Sequence, residues 1–363
     1  MTEFRKTRLI GDDPTGRALN IDGYEISDDS DCYVIAEIGA NHQGDIEKCK
    51  SLFEEANRCG ANAVKLQKRE NKSLYTNLMF HEPYNSENAY AETYGKHREF
   101  LEFGSSEYTE LISLAQELKI TFFATAFDFE SADFLSKLDM PAYKIASGDL
   151  TNIPLMKHVA AFGKPMVVST GGGSMQDVQR AYDNIMAINP QVSFLQCTAS
   201  YPCDFEHLNL RVIETFRRAF PDVVIGLSSH DNGYTMALVA YMVGARIVEK
   251  HFTINRALKG TDQAFSLETS GLRRLVRDLK RARIALGNGI KERYDVESPP
   301  LLKMEKSLVA ARDLPSGHML REEDIAIRSP GGGTPPYEFD NFLGRRTRTT
   351  LRTDDPITIQ AVE

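Results

Sequence analysis

Histidines stand at the ends of two apolar runs in this chain. His230 closes the run VVIGLSSH and His251 closes the run ARIVEKH. If these runs form neighbouring strands, both imidazoles come within reach of one divalent cation. No sequential metal-ligand motif accompanies them, so a pair of hydrogen-bonded histidines without a metal is the alternative.

Lysines close two further apolar runs, Lys65 in NAVKLQ and Lys144 in AYKIAS. A buried ammonium group is costly unless it meets an anion. Hydroxyl side chains that would add donors around the same anion end neighbouring runs: Thr125, Ser147, Ser169 and Ser228. This pattern favours a site for a small, oxygen-rich anion. The alternative is that each lysine pairs with an internal carboxylate, such as Glu37 or Asp149.

The elements that must position these side chains are eight short apolar runs separated by helix-like stretches. The runs cover residues 32–37, 62–67, 120–125, 142–147, 165–170, 192–198, 223–230 and 245–251. Apolar runs of this length are typical of strands buried on both faces of a parallel sheet. Eight of them alternating with helices predict a (β/α)8 TIM barrel, whose active site lies at the C-terminal ends of the strands.

The chain of 363 residues is longer than a barrel of about 250 residues requires. We predict an N-terminal extension (1–31), the barrel (32–287), a linker (288–303) containing two prolines, and a small, mostly β module (304–363). The one oversized connection, residues 68–104, follows the second strand and is rich in tyrosine and histidine. A long insertion at this face is expected to cover a substrate.

Composition narrows the functional class. The net charge of −8 disfavours a nucleic acid partner. No apolar run approaches the ~20 residues of a membrane span, and the first thirty residues contain no apolar leader core. The cysteines number five and are irregularly spaced, which favours reduced thiols in a cytoplasmic protein.

Several segments together resemble the sialic acid synthases, which condense phosphoenolpyruvate with N-acetylmannosamine or a related sugar. They are AEIGANHQGD, NAVKLQ, PAYKIASGDLTN, KPMVVSTGG, GLSSHDNGYTMALVAYMVGARIVEKHFT and KGTDQAFSLE. The tail KSLVAARDLPSGHMLREEDIAIRSPGGG resembles the antifreeze-like (SAF) domain of the same enzymes. The resemblance runs in one order from about Cys32 to the C-terminus.

The resemblance implies a role for each matching residue. Phosphoenolpyruvate is assigned to Lys65, Asn85, Thr125, Lys144, Ser147, Ser169 and Ser228. His230 and His251 match a pair that binds manganese, with magnesium or cobalt as alternatives, and Glu37 matches an acid/base carboxylate. The acceptor sugar is assigned to Gln67, Asp149, Tyr201, Asp262 and Arg328.

The matches to the sugar and metal sites contain departures. Ala199 stands where some members have asparagine, and Asp149 stands where those members have glutamate. Arg328 is displaced by one residue in the run Arg-Ser-Pro-Gly, and Ser229 replaces an aspartate before the first metal histidine. The acceptor is therefore open between N-acetylmannosamine, a modified hexosamine that leads to a legionaminic- or pseudaminic-type acid, and another sugar.

The small C-terminal module is expected to need an external surface for its stability. A nearly extended linker would span ~50 Å at ~3.3–3.6 Å per residue, enough to reach a second subunit. We therefore expect a domain-swapped homodimer, as the resemblance also implies. Two competing hypotheses are a metal-dependent barrel aldolase or isomerase that does not use phosphoenolpyruvate, and a carbohydrate- or ice-binding protein suggested by the tail alone.

Overall fold

The computed structural model of the chain describes residues 16–363, so residues 1–15 of the expected N-terminal extension lie outside the described part. The chain divides into two compact units between Asn288 and Gly289. Each unit has an apolar core of its own.

Eight parallel strands of the first unit close into a barrel. The strands of both units, numbered in chain order, are β1 (Ala18–Ile21), β2 (Tyr24–Ser27), β3 (Tyr33–Glu37), β4 (Ala63–Lys68), β5 (Thr121–Ala126), β6 (Tyr143–Ile145), β7 (Met166–Ser169), β8 (Val192–Cys197), β9 (Val224–Ser229), β10 (Ile247–His251), β11 (Ser307–Ala310) and β12 (Ile325–Arg328). Strands β3 to β10 form the barrel. The barrel order is β10-β3-β4-β5-β6-β7-β8-β9. Each of the eight runs recognised in the sequence overlaps one barrel strand, so the predicted TIM barrel is confirmed.

Helices follow each barrel strand, and two further helices belong to the C-terminal unit. They are α1 (Ile46–Cys59), α2 (Asn71–Leu74), α3 (Asn77–Phe80), α4 (Tyr94–Leu101), α5 (Ser105–Leu118), α6 (Phe129–Lys137), α7 (Ile153–Ala160), α8 (Met175–Met186), α9 (Val212–Ala219), α10 (Thr235–Met242), α11 (Thr269–Leu286), α12 (Ser298–Met304) and α13 (Phe339–Phe342). Helical spacing of apolar residues is evident in the sequence at 45–59, 105–119, 131–138, 174–187 and 271–287. It is not evident at α7, α9 and α10, which have eight residues each. Two turns give little periodic signal, and α10 (TMALVAYM) is apolar on nearly every side.

The barrel interior changes from apolar to polar along each strand. Inward side chains near the strand starts form one buried cluster that includes Ile35, Ala63, Val167 and Ile247. Because side chains alternate with a period of two, the residues two positions further on point into the barrel as well. Those residues are Glu37, Lys65, Ser169 and Glu249, and all four are buried. A polar site therefore lies on the C-terminal side of this apolar cluster, which we call the barrel floor.

A hairpin of β1 and β2 packs on this floor. Asp22 and Gly23 both have positive φ, as a two-residue Asp-Gly hairpin turn requires. Leu19, Ile21 and Ile26 are almost fully buried in the same cluster as the barrel residues. Burying each of them contributes about 1.5–3 kcal/mol relative to exposure. Part of the expected N-terminal extension therefore closes the N-terminal end of the barrel.

The insertion after β4 packs its aromatic side chains together. Tyr94 lies 5.2 Å from Tyr75 and 5.3 Å from Tyr84, measured between ring centroids. The hydroxyl of Tyr90 donates to the carbonyl of Lys259 at 2.6 Å. Nearby, the backbone N–H of Gly260 donates to Asn88 Oδ1 at 2.9 Å. These bonds tie the insertion to the loop after β10.

The second unit is small and mostly β, as predicted. Strands β11 and β12 pair antiparallel. Its core consists of Leu308, Ala310, Leu314, Leu320, Ile325, Phe342, Leu351, Ile357 and Val362. The carboxylate of Asp324 is buried beneath Arg312 and His318; it accepts hydrogen bonds from Arg312 and pairs with His318 at 2.8 Å.

Residues 288–303 were expected to form an irregular linker, but α12 begins at Ser298. Pro299 and Pro300 occupy its first turn, where the missing N–H groups are not needed and the fixed φ suits a helix. Leu302, near the end of α12, accepts a hydrogen bond from the N–H of Gly331 at 2.9 Å. The second half of the expected linker is therefore part of the C-terminal unit.

All five cysteines are buried and none forms a disulfide. Within residues 16–363, no helix is both long and apolar enough to cross a membrane.

Candidate active site

A cavity of about 550 Å³ lies at the C-terminal ends of the barrel strands. Most residues identified from the sequence line it: Glu37, Lys65, Gln67, Thr125, Lys144, Ser147, Ser169, Tyr201, Ser228, His230, His251 and Asp262. A larger cavity of about 710 Å³ lies beside the β1–β2 turn and the start of β5, away from these residues. The smaller cavity is therefore the candidate active site.

Three of the predicted residues do not line this cavity. Asn85 is exposed, whereas Asn88 of the same insertion lines the cavity. Asp149 lies in the turn after β6, where its carboxylate accepts a hydrogen bond from Asn152 at 3.0 Å and burial raises its pKa. Arg328 belongs to the C-terminal unit, where it forms an ion pair with Asp354.

Glu37 and Lys65 form a buried ion pair at adjacent strand ends. Lys65 Nζ lies 2.5 Å from Glu37 Oε2 and donates to Thr125 Oγ1 at 2.8 Å. Gln67 Nε2 donates to the other carboxylate oxygen of Glu37 at 2.7 Å. Burial outweighs the attraction of Lys65 and raises the pKa of Glu37 to about 7. Lys65 therefore pairs with an internal carboxylate, as one of the two interpretations of the sequence expected. Because its pKa is raised, Glu37 can change protonation near neutral pH.

Lys144 differs from Lys65, because no carboxylate oxygen of the described residues lies within 4 Å of it. Its Nζ donates to Ser169 Oγ at 2.7 Å and to the carbonyl of Ile145 at 2.8 Å. Burial lowers the pKa of this ammonium group. A buried cation bonded only to neutral groups is what an anion site requires.

Ser147 fixes the rim of the cavity next to Lys144. Its Oγ accepts a hydrogen bond from the N–H of Gly171 at 3.0 Å. A Cβ at Gly171 would lie 2.7 Å from that Oγ and 3.2 Å from Cβ of Ala199. The Gly-rich segment after β7 therefore allows the backbone to approach the hydroxyl closely.

His230 and His251 face each other on neighbouring strands, with ring centroids 5.4 Å apart. Nδ1 of His230 lies 3.0 Å from the carbonyl of Thr198, an arrangement that leaves Nε2 as the lone-pair nitrogen. Burial lowers the pKa of His230 to about 4 and also lowers that of His251, so both imidazoles are neutral at pH 7.

The surroundings of His251 fit a cation site. Its Nδ1 is buried without a hydrogen-bond partner and lies 3.8 Å from Asp262 Oδ2. Burial raises the pKa of Asp262, but its interactions with His251, Thr261 and two arginines outweigh this and lower it. Across residues 16–363, no group of three or more histidine, cysteine, aspartate or glutamate side chains is arranged to hold a metal. A cation on the two histidines would therefore need water or substrate oxygens as further ligands.

Tyr201 closes the cavity on the histidine side. Its ring centroid lies 4.1 Å from that of His230, while more than half of the side chain is exposed. The phenol thus covers the imidazole and presents its other face to the cavity.

Three charged residues of the cavity were not recognised from the sequence. Glu249 lies 3.7 Å from Lys65; burial raises its pKa, but Lys65, Lys144 and the histidines outweigh this and lower it. It stands two positions before His251 on β10, so strand alternation could have identified it. Arg69, directly after β4, and Arg98, on α4, also line the cavity.

The chain matches the model of the NeuB family over residues 52–291 and that of the SAF domain over residues 305–363. It is 37% identical to the N-acetylneuraminate-9-phosphate synthase of Mus musculus over 92% of this chain and 93% of the relative. It is 33% identical to the N,N'-diacetyllegionaminic acid synthase of Legionella pneumophila over 88% of this chain and 91% of the relative.

Solved structures show the same architecture. The N-acetylneuraminic acid synthetase of Leptospira borgpetersenii superimposes with a TM-score of 0.69 at 29% identity, covering 79% of this chain and 95% of that one. A closed barrel with buried lysines and hydroxyls, a histidine pair and a protonatable carboxylate at its C-terminal end defines a barrel enzyme. The chain belongs to the NeuB family and carries a SAF domain at its C-terminus.

Proposed function

We propose that the chain condenses phosphoenolpyruvate with an N-acylated hexosamine, forming a nonulosonic acid and releasing phosphate. One observation carries the proposal: a single cavity holds a lysine–hydroxyl cradle, two neutral histidines and a carboxylate that titrates near pH 7. An anionic enol, an aldehyde and a water molecule need these three kinds of group.

Phosphoenolpyruvate is assigned to the cradle around Lys144. This buried ammonium would bind one of its anionic groups, and Ser147, Ser169 and Ser228 would donate hydrogen bonds. Lys65 and Thr125 complete the opposite side. Because the barrel strands hold these groups, the enol is oriented before reaction, and orientation of this kind contributes ~7–11 kcal/mol to catalysis in favourable cases.

His230 and His251 are the proposed holders of a divalent cation, with manganese first and magnesium or cobalt as alternatives. When bound, the cation would polarise the aldehyde of the open-chain sugar as a Lewis acid. The low pKa of His230 and the partnerless Nδ1 of His251 support this assignment. Cations bind the neutral form of imidazole.

Glu37 is the proposed acid/base residue. The new carbon–carbon bond joins C3 of phosphoenolpyruvate to the aldehyde carbon, water adds at C2, and the adduct expels phosphate by C–O cleavage. Ionised Glu37 would remove a proton from that water, and its raised pKa suits the task. Gln67, Tyr201 and Asp262, which line the cavity, are assigned to the sugar. The assignment of Asp149, which lies outside the cavity lining, rests on the family resemblance alone.

Relatives with different products leave the acceptor open within this class. N-acetylneuraminate-9-phosphate synthases of mouse, human and fly are 36–37% identical to this chain. The legionaminic acid synthase of Legionella is 33% identical, and a pseudaminic acid synthase of Campylobacter jejuni is 29% identical. N-acetylmannosamine or its phosphate is our first choice, and a modified hexosamine is the alternative.

A phosphate-release screen tests the proposal. Phosphoenolpyruvate is supplied with N-acetylmannosamine, its 6-phosphate or a 2,4-diacetamido-2,4,6-trideoxyhexose, in the presence of manganese. We expect phosphate and a nonulosonic acid in equal amounts with at least one sugar, and neither product when the sugar or phosphoenolpyruvate is omitted. Lys144→Met provides the matched loss-of-function control. Sugar cleavage without phosphoenolpyruvate would instead support the aldolase hypothesis.

We also propose that the C-terminal unit acts at the barrel of a second subunit in a homodimer. The segment between α11 and α12 has roughly eight irregular residues before residue 295, which span about 25–30 Å when extended. This is shorter than the ~50 Å expected of a linker without a helix, so the two barrels would have to lie close together.

Complementation tests the exchange. We expect a particle of twice the 40.7 kDa chain mass, and two weakly active variants, Arg328→Ala and His251→Ala, that regain activity when they are co-expressed. Half of the dimers would be mixed, with one complete site each, so about a quarter of the wild-type activity should return. A fully active monomer, or no recovery in isolated mixed dimers, would contradict the exchange.

A further inference from the structure

Two arginines line the active-site cavity without a role in the mechanism above. Arg69 directly follows β4 and is 9% exposed. Its guanidinium carbon lies 3.7 Å from the centroid of the Phe127 ring, and its Nη2 donates to Gln67 Oε1 at 2.6 Å. This cation is therefore held rigidly between an aromatic face and a cavity amide.

Arg98 reaches the same cavity from α4, in the insertion. Its Nε donates to the hydroxyl of Tyr94 at 3.1 Å, and its guanidinium lies 5.2 Å from the centroid of that ring. Within residues 16–363, neither arginine has a carboxylate oxygen within 4 Å, and each guanidinium makes one side-chain hydrogen bond. Since a guanidinium has five N–H donors, most donors of both remain for a ligand.

Nearby carboxylates are engaged by other groups. Glu102 pairs with Lys68 at 3.1 Å and accepts the backbone N–H of Arg69 at 3.2 Å. Asp262 lies against His251 and accepts a hydrogen bond from Thr261 at 2.9 Å. Burial and the charge of Arg98 lower the pKa of Arg69. Burial also disfavours the charged form of Arg98, but Tyr94, Tyr75 and Asp262 outweigh it and raise the pKa of that residue. A bound anion would therefore relieve mainly the buried charge of Arg69.

This anion is distinct from the one assigned to the lysines. Lys65 and Lys144 emerge from the barrel wall among the hydroxyls, whereas the arginines emerge from the chain after β4 and from the insertion. Arg69 is bonded to Gln67, a residue assigned to the sugar. Because Arg69 is bonded to a residue assigned to the sugar, we assign the arginine pair to an anionic group of the acceptor and both anionic groups of phosphoenolpyruvate to the lysines and hydroxyls.

We propose that Arg69 and Arg98 bind a phosphate ester carried by the acceptor sugar at the end remote from its aldehyde. The substrate is thus a hexosamine phosphate, and the nonulosonic acid leaves with its phosphate ester intact. This inference rests on the proposed condensation. Planar guanidinium groups bind phosphate oxygens through paired hydrogen bonds, which explains arginine here in place of lysine.

The contact network links the phosphate site to the acid/base residue. Gln67 accepts from Arg69 through its oxygen and donates to Glu37 through its nitrogen. A phosphate held by Arg69 would therefore fix the amide that orients Glu37, and an acceptor without phosphate would lose that restraint.

Sugar discrimination by variants tests the proposal. Wild-type protein is expected to use N-acetylmannosamine 6-phosphate with a kcat/KM at least ~100-fold above that for N-acetylmannosamine, because charge-assisted bonds to two arginines are lost with the phosphate. Arg98→Met is expected to lower this ratio about 10–100-fold, with less than about threefold change in KM for phosphoenolpyruvate. Lys96→Met removes an exposed charge from the same helix and should leave the ratio unaltered.

Binding provides a readout that does not need turnover. Calorimetric titration of the full chain with N-acetylmannosamine 6-phosphate should show about 10–100-fold weaker binding for Arg98→Met and for Arg69→Lys than for Lys96→Met. The Arg69→Lys variant keeps a cation in the buried position if methionine there prevents folding.

The outcomes separate this inference from the proposed function. Equal use of both sugars, or an Arg98→Met variant with altered KM for phosphoenolpyruvate and an unaltered sugar ratio, would overturn the phosphate site while the condensation stands. Absence of turnover with every sugar, together with arginine-dependent binding of the sugar phosphate, would overturn the condensation and support the site. Absence of arginine-dependent binding overturns the site in either case.

Discussion

His230→Ala and His251→Ala are each expected to lower turnover at least ~10³-fold and to release the bound cation. Each imidazole is neutral and buried, and neither has a neighbour that could replace it, because the described residues contain no third histidine, cysteine or carboxylate positioned with them as a metal-binding group. Loss of one of two protein ligands should therefore abolish binding, and with it several kcal/mol of transition-state stabilisation.

Metal content and activity are measured on the same samples. Purified variants are analysed for manganese, magnesium and cobalt before and after chelation, and phosphate release is then measured with each ion added back. His207→Ala removes an exposed histidine from the loop after β8 and serves as the control. Near-wild-type turnover of thoroughly chelated protein would show that the histidines do not act through a metal.

Glu37→Gln is expected to lower kcat about 10²–10⁴-fold, the usual contribution of a general base. The pKa of Glu37 is raised to about 7, so the base form predominates above that pH and the protonated form below it. Wild-type kcat/KM should therefore fall about tenfold per pH unit below pH 7. Glutamine cannot ionise, so this acidic limb should vanish from the residual activity of the variant.

Glu249→Gln provides the matched comparison. This carboxylate occupies the same cavity, but chiefly the charges of Lys65 and Lys144 outweigh the effect of burial and lower its pKa, so it should stay ionised throughout the measured range. Its replacement should leave the limb near pH 7 in place. A Glu37→Gln variant that keeps activity within tenfold, or keeps the limb, would assign the base to another group.

The barrel could be predicted because its strands carry their own signal. Each is a short apolar run that ends in a polar residue, and closed parallel barrels place those ends together. The same logic identified Lys144 and His251 but passed over Glu249, which lies two residues before His251 and therefore on the same face. The position of Glu249 in the strand was therefore sufficient to predict that its side chain faces the cavity.

The arginines and the insertion could not be placed in this way. Arg69 and Arg98 lie outside strands, where a charged side chain is ordinarily solvated, and only the tertiary fold brings them to the cavity. Within the insertion, Asn88 lies at the cavity and Asn85 in solvent. The hydrogen bond from Gly260, in the loop after β10, holds Asn88 in place, and the sequence gives no local signal for this contact. The Asp22-Gly23 hairpin did carry a local turn signal.

The hairpin under the barrel imposes an order on the growing chain. Ile26 and Ile247 belong to the same buried cluster, yet Ile247 is translated roughly 220 residues after Ile26, on the order of 10–40 s later at typical elongation rates. During that interval the apolar side chains of the hairpin lack part of the barrel cluster against which they are buried in the finished protein. The hairpin can thus complete its docking only as the last strand closes the barrel, so a fully buried hairpin reports that the whole barrel has been made.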